Sequence, residues 1–319
     1  LTRADYKKYA TQYTDPAQLV DTYVNATDCP CKNVALDPAD NSIELKNPGN
    51  KKDGKLRKEH VGIISRIGFT YGKFRAKIKF PELLSADHVW NGITNAFWLM
   101  AQDVSHNWNM RRLCDAGIAY IPKQEADEAA SLKKSKKRIT YSEIDFEILK
   151  ESEFWPKTSY PYSNELYRSD DCANNQDIMV TCTNWDMACH QPEFFNIGAV
   201  SHSIDGVKYI HHRWNEWYKA LTTKVRQSHD ELFKAPYYYF EIEWAPEKIT
   251  WRIGPEKDKL RTICIMDKNV SAIPNNQMLM IITQEWHNQE WWPTAPYKQN
   301  LIPFPKNDII GKVMELEIE

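Results

Sequence analysis

Short runs of alternating or continuous apolar residues follow one another from about residue 33 to the end of the chain, separated by Pro, Gly, Asn and Asp. Alternation with a period of two is typical of a β-strand that buries one face, and helical periodicity is scarce here. The pattern predicts an all-β fold, a β-sandwich or jelly roll. Ten runs carry this prediction: SIELKNP, GIISRIGFTYGKFRAKIKFP, NAFWLMAQ, ITYSEIDFEIL, DIMVTCTNW, YYYFEIEWAP, KITWRIGP, RTICIMD, QMLMIITQEW and KVMELEIE.

Three segments depart from this pattern. Residues 1–32 are polar with short helical stretches, and we interpret them as an N-terminal extension to a single domain at 33–319. Residues 101–138 predict a loop with a short exposed helix, and residues 151–180 predict a long Tyr-rich loop. Both loops flank the run at 139–149, and long loops beside a scaffold strand are where binding specificity usually resides.

The run at 139–149 alternates three acids with three apolar residues, Glu143, Asp145 and Glu147 with Ile144, Phe146 and Ile148. Successive side chains of a strand point to opposite faces, so the acids share one face and the apolar residues share the core face. One interpretation is that the acids are only the solvent-exposed face of an antiparallel strand. However, adjacent like charges repel and Glu and Asp are poor strand formers, which favours a functional role.

The spacing of the acids suits glycoside hydrolysis. The Cα atoms of Glu143 and Glu147 are roughly 13 Å apart in a strand, and their side chains can lean inward until the carboxyls are about 5–5.5 Å apart, as in retaining glycosidases. Asp145 lies between them, where it can hold a proton or a hydrogen bond and separate the two pKa values. Metal binding is the weaker alternative, because the segment lacks both the residue order of a calcium loop and the His of a zinc site.

The segment EIDFE at 143–147 resembles the E-[IL]-D-x-E signature of glycoside hydrolase family 16, the group of laminarinases, lichenases, agarases, carrageenases and xyloglucan endotransglycosylases. Four further segments resemble blocks of that family in the same order, at 62–81, 95–100, 237–254 and 277–286. The resemblance implies a concanavalin A-like jelly roll of two bent antiparallel sheets, with the substrate across the concave sheet. It also implies a retaining endo-β-glycosidase with Glu143 as nucleophile, Asp145 as assisting acid and Glu147 as acid/base.

Six other residues are candidates for substrate binding: Trp98, Asn184, Trp185, Gln284, Glu285 and Trp286. The resemblance implies that the three Trp side chains stack on sugar rings or line the cleft, although packing in the core is an alternative for each. The Asn, Gln and Glu side chains are candidate hydrogen-bond partners for sugar hydroxyls.

Two indications of the substrate disagree. The acidic strand lacks the extra residue of the ExDxxE form that laminarinases and agarases usually carry, whereas TQEW at 283–286 is more similar to agarases and carrageenases than to lichenases. The basic run KKSKKR at 133–138 would suit an anionic polysaccharide if it reaches the cleft, and is otherwise a solvent-exposed loop. The ending ELEIE weakens the case for the structural calcium of many relatives, and no cofactor is required for the reaction.

The composition and the first residue indicate which classes of partner this protein binds and where we expect to find it. With 41 basic and 43 acidic residues, no chain-wide charge favours nucleic acid or a membrane surface. The 12 Trp and 16 Tyr favour either sugar stacking or a β-rich core. No run approaches the roughly 20 apolar residues of a membrane span. A start at Leu1 is typical of a chain trimmed of a signal peptide, or of any truncation, and we expect a secreted, periplasmic or cell-surface monomer.

The seven cysteines leave the redox state open. They are odd in number and include no pair of CxxC motifs. Cys172, Cys182 and Cys189 are close enough in sequence to supply one loop disulfide, but free buried thiols are the alternative.

Two other functions remain compatible with these residues. A non-catalytic carbohydrate-binding or sensing protein could use the same fold, although it would not need both Glu143 and Glu147. A transglycosylase would use the same strand and differ only in whether a sugar or water accepts the glycosyl group.

Overall fold

The computed structural model describes residues 33–49, 61–65, 68–86, 90–101, 142–148, 177–185, 198–213, 220–275, 278–286 and 304–319. Most of these residues lie in strands, which confirms the all-β prediction. The extension at 1–32, the helix expected within 101–138 and the basic run at 133–138 lie outside them. The described ranges contain the strands β1 (Val34–Asp37), β2 (Ser42–Asn47), β3 (Val61–Ile64), β4 (Gly72–Lys79), β5 (Ile93–Ala101), β6 (Glu143–Ile148), β7 (Asp177–Asn184), β8 (Gly198–Ile204), β9 (Val207–Arg213), β10 (Leu221–Ser228), β11 (Tyr238–Ala245), β12 (Lys248–Gly254), β13 (Arg261–Asp267), β14 (Met278–Trp286) and β15 (Ile309–Ile318).

The strands form two antiparallel sheets. The seven-stranded sheet has the order β1-β2-β15-β4-β11-β12-β13, and the eight-stranded sheet has the order β3-β14-β5-β6-β7-β10-β9-β8. A short π-helical turn at Asp230–Lys234 connects β10 in one sheet to β11 in the other. Since consecutive strands repeatedly change sheet, the architecture is a jelly-roll β-sandwich, as the sequence predicts.

The core lies between the two sheets and includes the apolar face of β6. Ile144, Phe146 and Ile148 are each at most 1% exposed. The Phe146 ring meets Phe240 of β11 edge-on across the sandwich, with ring centroids 5.8 Å apart. The prediction that this face of the acidic run packs in the core is therefore confirmed, and the acids must point away from the second sheet.

Four strands were not predicted from the hydrophobic pattern, namely β1, β8, β9 and β10. Strand β1 is short, and the other three are rich in Ser, Thr, His, Lys and Arg. A turn signal could have predicted the β8–β9 hairpin, because Asp205 and Gly206 both have positive φ, 52° and 79°, in a two-residue loop. Asp-Gly is among the strongest short-range hairpin signals.

The described cysteines are free thiols in the core. Cys182 of β7 and Cys264 of β13 are both fully buried, and neither forms a disulfide. The Cys264 thiol donates a hydrogen bond to Thr223 Oγ1 at 3.4 Å. The free-thiol interpretation is therefore confirmed for Cys182, while Cys172 and Cys189 lie outside the described residues.

An ionic cluster stabilises the outer face of the seven-stranded sheet. The Glu241 carboxylate, whose side chain is 3% exposed, lies 2.5 Å from an Arg75 guanidinium nitrogen and 2.6 Å from Arg252 Nη1. The three residues are cross-strand neighbours on β4, β11 and β12, so the sheet register brings them together.

We expect Glu241→Gln to lower the free energy of unfolding by about 2 kcal/mol, because it removes a buried carboxylate that two guanidinium groups share, although Arg75 keeps its pair with Glu317 and Arg252 keeps its pair with Glu243. Urea unfolding would measure the loss. The matched control is Glu315→Gln, whose more exposed pair with Lys77 should contribute less than about 1 kcal/mol. Equal losses in the two variants would contradict the expectation.

Candidate active site

Strand β6 is a central strand of the eight-stranded sheet. It pairs antiparallel with β5 on one side and β7 on the other. Asp145 is opposite Trp98 of β5 and Thr183 of β7, and Glu147 is opposite Thr181 of β7. The side chains on this face are therefore carried by a strand hydrogen-bonded along both edges, which makes a rigid scaffold.

The three acids lie on the outer face of this sheet but are not solvent-exposed. Glu143 is 4% exposed and Asp145 is 5% exposed, and Glu147 is partly buried. The interpretation of the acids as a solvent-exposed strand face is therefore wrong for Glu143 and Asp145. Burying like charges side by side is unfavourable, so these residues cost stability rather than contributing to it.

Trp98 lies on the same face as the acids. It is the β5 neighbour of Asp145, its side chain is partly exposed, and its Nε1 donates a hydrogen bond to Thr283 Oγ1 of β14 at 3.2 Å. This bond fixes the orientation of the indole beside the carboxyls, and the partly exposed ring leaves an aromatic surface for a ligand.

Glu285 of β14 adds a fourth carboxyl to this face. It lies in the same alternating series as Thr283, two strands away from β6, and it is partly buried. Its charge raises the pKa of Glu143, Asp145 and Glu147 alike, which places it within electrostatic reach of all three. The structure therefore brings this sequence-predicted residue to the acids.

The site raises the pKa of each acid on β6. For Glu143 burial is the largest cause, followed by the charges of Asp145 and Glu147. For Asp145 burial again comes first, followed by the charge of Glu147. Burial and the charge of Glu285 raise the pKa of Glu147 to about 7, although a hydrogen bond from Thr181 opposes them. A carboxyl with a pKa near neutrality can both give and take a proton at physiological pH.

The second sheet forms a hydrogen bond to the backbone of Asp145 on the core side of β6. The Trp251 indole of β12, fully buried in the core, donates its Nε1 hydrogen to the Asp145 carbonyl oxygen at 2.9 Å. On the opposite face, the Asp145 Oδ1 atom is buried and has no hydrogen-bond partner among the described residues. An unsatisfied buried oxygen between two glutamates can accept a hydrogen bond from a ligand or from a protonated neighbour.

Three predicted substrate-binding residues lie on the core face instead, and the expectation for them is corrected here. The Asn184 amide donates to Ser271 Oγ at 2.8 Å, and Gln284 donates to Leu45 O at 3.1 Å. Trp286 is 2% exposed and packs edge-on against Phe304. Each lies an odd number of residues from a position whose side chain faces the acids, and so points between the sheets.

Trp185 follows the last residue of β7. Its backbone N–H donates to the Glu143 carbonyl oxygen at 2.9 Å, which extends the pairing of β7 with β6. Its side chain is partly buried and packs against the core. A role for this indole in sugar binding stays a prediction.

Sequence reasoning missed four polar residues that share the acid face: Thr181, Thr183, Lys224 and His212. Thr181 Oγ1 donates to Glu147 Oε2 at 3.2 Å. Lys224 is opposite Thr181 in the β7–β10 pairing, and burial together with the charge of Lys224 lowers the pKa of His212 to about 4. Lys224 and His212 belong to β10 and β9, strands that the hydrophobic pattern did not predict.

The described residues show neither a metal cluster nor a membrane span. No group of three or more His, Cys, Asp or Glu side chains among them is arranged to hold a metal ion. None of the helical segments in the described ranges has the length and apolar character needed to cross a bilayer.

Comparisons with known proteins return structural matches only. No family model matches the chain, and no curated protein matches it. Among solved structures, a Bacteroides ovatus GH16 protein of the mixed-linkage glucan PUL, in complex with a product, matches at a TM-score of 0.47 and 12% identity, covering 90% of this chain and 84% of the other. The κ-carrageenase of Zobellia galactanivorans matches at 0.46 and 13%, covering 90% and 81%. The laminarinase catalytic domain of Thermotoga maritima matches at 0.44 and 11%, covering 90% and 80%.

The family named for the first of these structures is the one that the sequence motifs resemble. With TM-scores below 0.5 and identities of at most 13%, these likenesses assign no activity, substrate or site residue to this chain.

Proposed function

We propose that this protein is a retaining endo-β-glycosidase that hydrolyses a polysaccharide, with residues 33–319 as its catalytic domain. One observation carries the proposal: a single central strand presents three carboxyls on one face, two buried and one partly buried, beside the partly exposed indole of Trp98. Double displacement at an anomeric carbon requires two carboxyls on one face that differ in protonation, one ionised to attack and one protonated to donate to the leaving oxygen.

The reactive form is the one in which Glu143 is ionised while Asp145 and Glu147 hold protons. In the first step, the Glu143 carboxylate attacks the anomeric carbon while Glu147 protonates the departing glycosidic oxygen, which gives a glycosyl-enzyme ester and a free sugar end. In the second step, the Glu147 carboxylate takes a proton from water as that water attacks the ester. A pKa of about 7 supports both duties of Glu147, because the group is partly protonated for the first step and a competent base for the second.

Asp145 would act between the two glutamates. Its unsatisfied Oδ1 can accept a hydrogen bond from the protonated form of a neighbouring carboxyl or from a sugar hydroxyl. The hydrogen bond from Trp251 to its backbone stabilises the strand position that this contact needs. Trp98 would present its ring to a sugar in the adjacent subsite.

A purely sugar-binding protein is less well supported. Placing Glu143 and Asp145 together under burial raises the pKa of both and lowers stability. A binding protein gains nothing from that cost, because neutral hydrogen-bonding side chains would serve it better. Secretion, the monomeric state and an anionic substrate stay predictions.

The test of this proposal is the stereochemistry of the first product. We expect proton NMR during digestion to show the β-anomer of the new reducing end first, followed by mutarotation. The substrate would come from a panel of mixed-linkage glucan, laminarin, agarose, porphyran, carrageenan and xyloglucan, with product sizing to establish endo action. Initial release of the α-anomer would contradict the proposal, as would the lack of turnover on every glycan.

A further inference from the structure

Two residues on other strands affect the protonation of the Glu147 carboxyl in opposite directions. Thr181, its direct neighbour on β7, donates a hydroxyl hydrogen to Oε2 at 3.2 Å. Glu285, on β14, lies on the same face on the other side of β6, with β5 between the two strands. Two strand spacings of about 4.8 Å each separate β14 from β6, a distance over which charges still interact strongly in a partly buried site.

We propose that Thr181 and Glu285 are positioning residues that together set the protonation of Glu147, Glu285 holding the proton on the carboxyl and Thr181 favouring its release. The proposal rests on the proposed function, in which Glu147 is the acid/base. Neither residue needs to touch the substrate, since each acts through the carboxyl of Glu147.

The charges facing Glu147 can be named strand by strand for the described residues. On β6 they are Asp145 and Glu143, and on β14 the charge is Glu285. On β5 and β7, the residues of this face whose side chains the structure describes are not ionisable. On β10 and β9, farther across the sheet, Lys224 and His212 share the face.

The direction of each effect follows from elementary electrostatics. A carboxylate at Glu285 makes a second negative charge on Glu147 more costly, which favours the protonated form. A hydroxyl that donates to Oε2 stabilises the carboxylate and favours ionisation. The pKa of Glu147, about 7, reflects the same balance, with burial and Glu285 raising it and Thr181 lowering it.

The two residues should differ in how far their influence extends. The charge of Glu285 also raises the pKa of Glu143 and Asp145, whereas the Thr181 hydroxyl is hydrogen-bonded, among the acids of the described residues, to Glu147 only. Glu285 therefore acts on the whole acidic set, and Thr181 acts on the acid/base only.

The experiment compares the pH dependence of kcat/KM in two variants of the full chain. We expect Glu285→Gln to move both the acidic and the alkaline limb to lower pH by about half a pH unit or more. We expect Thr181→Val to move only the alkaline limb, and to higher pH. Glu285→Asp and Thr181→Ser are the matched controls, because they keep the charge and the hydroxyl and should restore most of the parent profile.

A measurement without substrate separates this proposal from the proposed function. Carbon-13 NMR of side-chain-labelled glutamate, with the Glu147 resonance assigned by its loss in Glu147→Gln, would follow the titration of this carboxyl directly. The midpoint should fall in Glu285→Gln and rise in Thr181→Val.

Unchanged midpoints in both variants, or shifts of the same sign, would overturn the proposal even if the protein hydrolyses a glycan. If the Glu147 midpoints shift in opposite directions but the protein has no glycosidase activity, the effect of Thr181 and Glu285 on Glu147 is supported and the proposed function is contradicted. If circular dichroism shows that Thr181→Val does not fold, Thr181→Cys replaces it in the experiment. This variant removes most of the hydrogen-bond donor strength and keeps a similar side-chain volume.

Discussion

Glu143→Gln is expected to lower kcat/KM on the true polysaccharide by about 10⁴-fold or more, because an amide cannot form the glycosyl-enzyme ester. The affinity for the glycan should change little, since the amide keeps the size of the side chain. The fold should be retained and its stability increased, because the variant removes one of several mutually repelling carboxyls that are nearly inaccessible to water. Initial-rate kinetics, calorimetric binding and thermal unfolding would measure the three effects.

The smaller variant Glu143→Ala identifies the role of the residue. Azide can enter the space left by the carboxylate and attack an activated substrate directly, which gives a glycosyl azide of inverted configuration. The matched control is Glu243→Gln, the same substitution at an acid on the other sheet, where it pairs with Arg252. Full activity in Glu143→Gln, or equal losses in the two Gln variants, would show that Glu143 is not the nucleophile.

Glu147→Gln is expected to lower kcat by about 10² to 10⁴-fold, because an amide cannot protonate the leaving oxygen or activate water. The loss in the first step should be much smaller on an aryl glycoside with an acidic leaving group, which departs without protonation. Azide should rescue Glu147→Ala with retained configuration, since the glycosyl-enzyme still forms on Glu143. A glycosyl azide of inverted configuration from this variant would show that Glu147 is the nucleophile and Glu143 the acid/base.

The same variant should change how stability depends on pH. The pKa of Glu147 is raised from 4.5 to about 7 in the folded protein. A carboxyl of this kind stabilises the fold fully below its unfolded pKa, and that contribution is lost as the pH rises toward about 7. Urea unfolding at about pH 5 and about pH 8 should therefore show a smaller difference in Glu147→Gln than in the parent. An unchanged difference would mean that the folded protein does not perturb this carboxyl.

The acidic strand illustrates how much the sequence alone could predict. A period of two assigns the side chains of Glu143, Asp145 and Glu147 to one face regardless of what surrounds the strand, because the alternation is a property of the extended backbone. The bulky residues between them then predict which face packs in the core. The same alternation predicts most of the other strands, and hence the sandwich.

The neighbours of those acids could not be predicted in this way. Gln284 and Glu285 are adjacent in the chain, yet one hydrogen-bonds to Leu45 in the core and the other shares a face with the three acids of β6. Which of the two points outward depends on the register of β14 against β5, and hydrogen bonds between segments distant in sequence set that register. Trp286 packs in the core for the same reason.

What the sequence by itself determined is therefore the fold class and the trio of acids on one strand face, since both follow from local periodicity. Only the tertiary structure decided that Thr181, Glu285 and Trp98 meet those acids, because these residues come from strands far apart in the chain. It also decided that the acids are buried or partly buried, and burial is the largest cause of their raised pKa values. Burial depends on how distant segments pack, which no local pattern encodes.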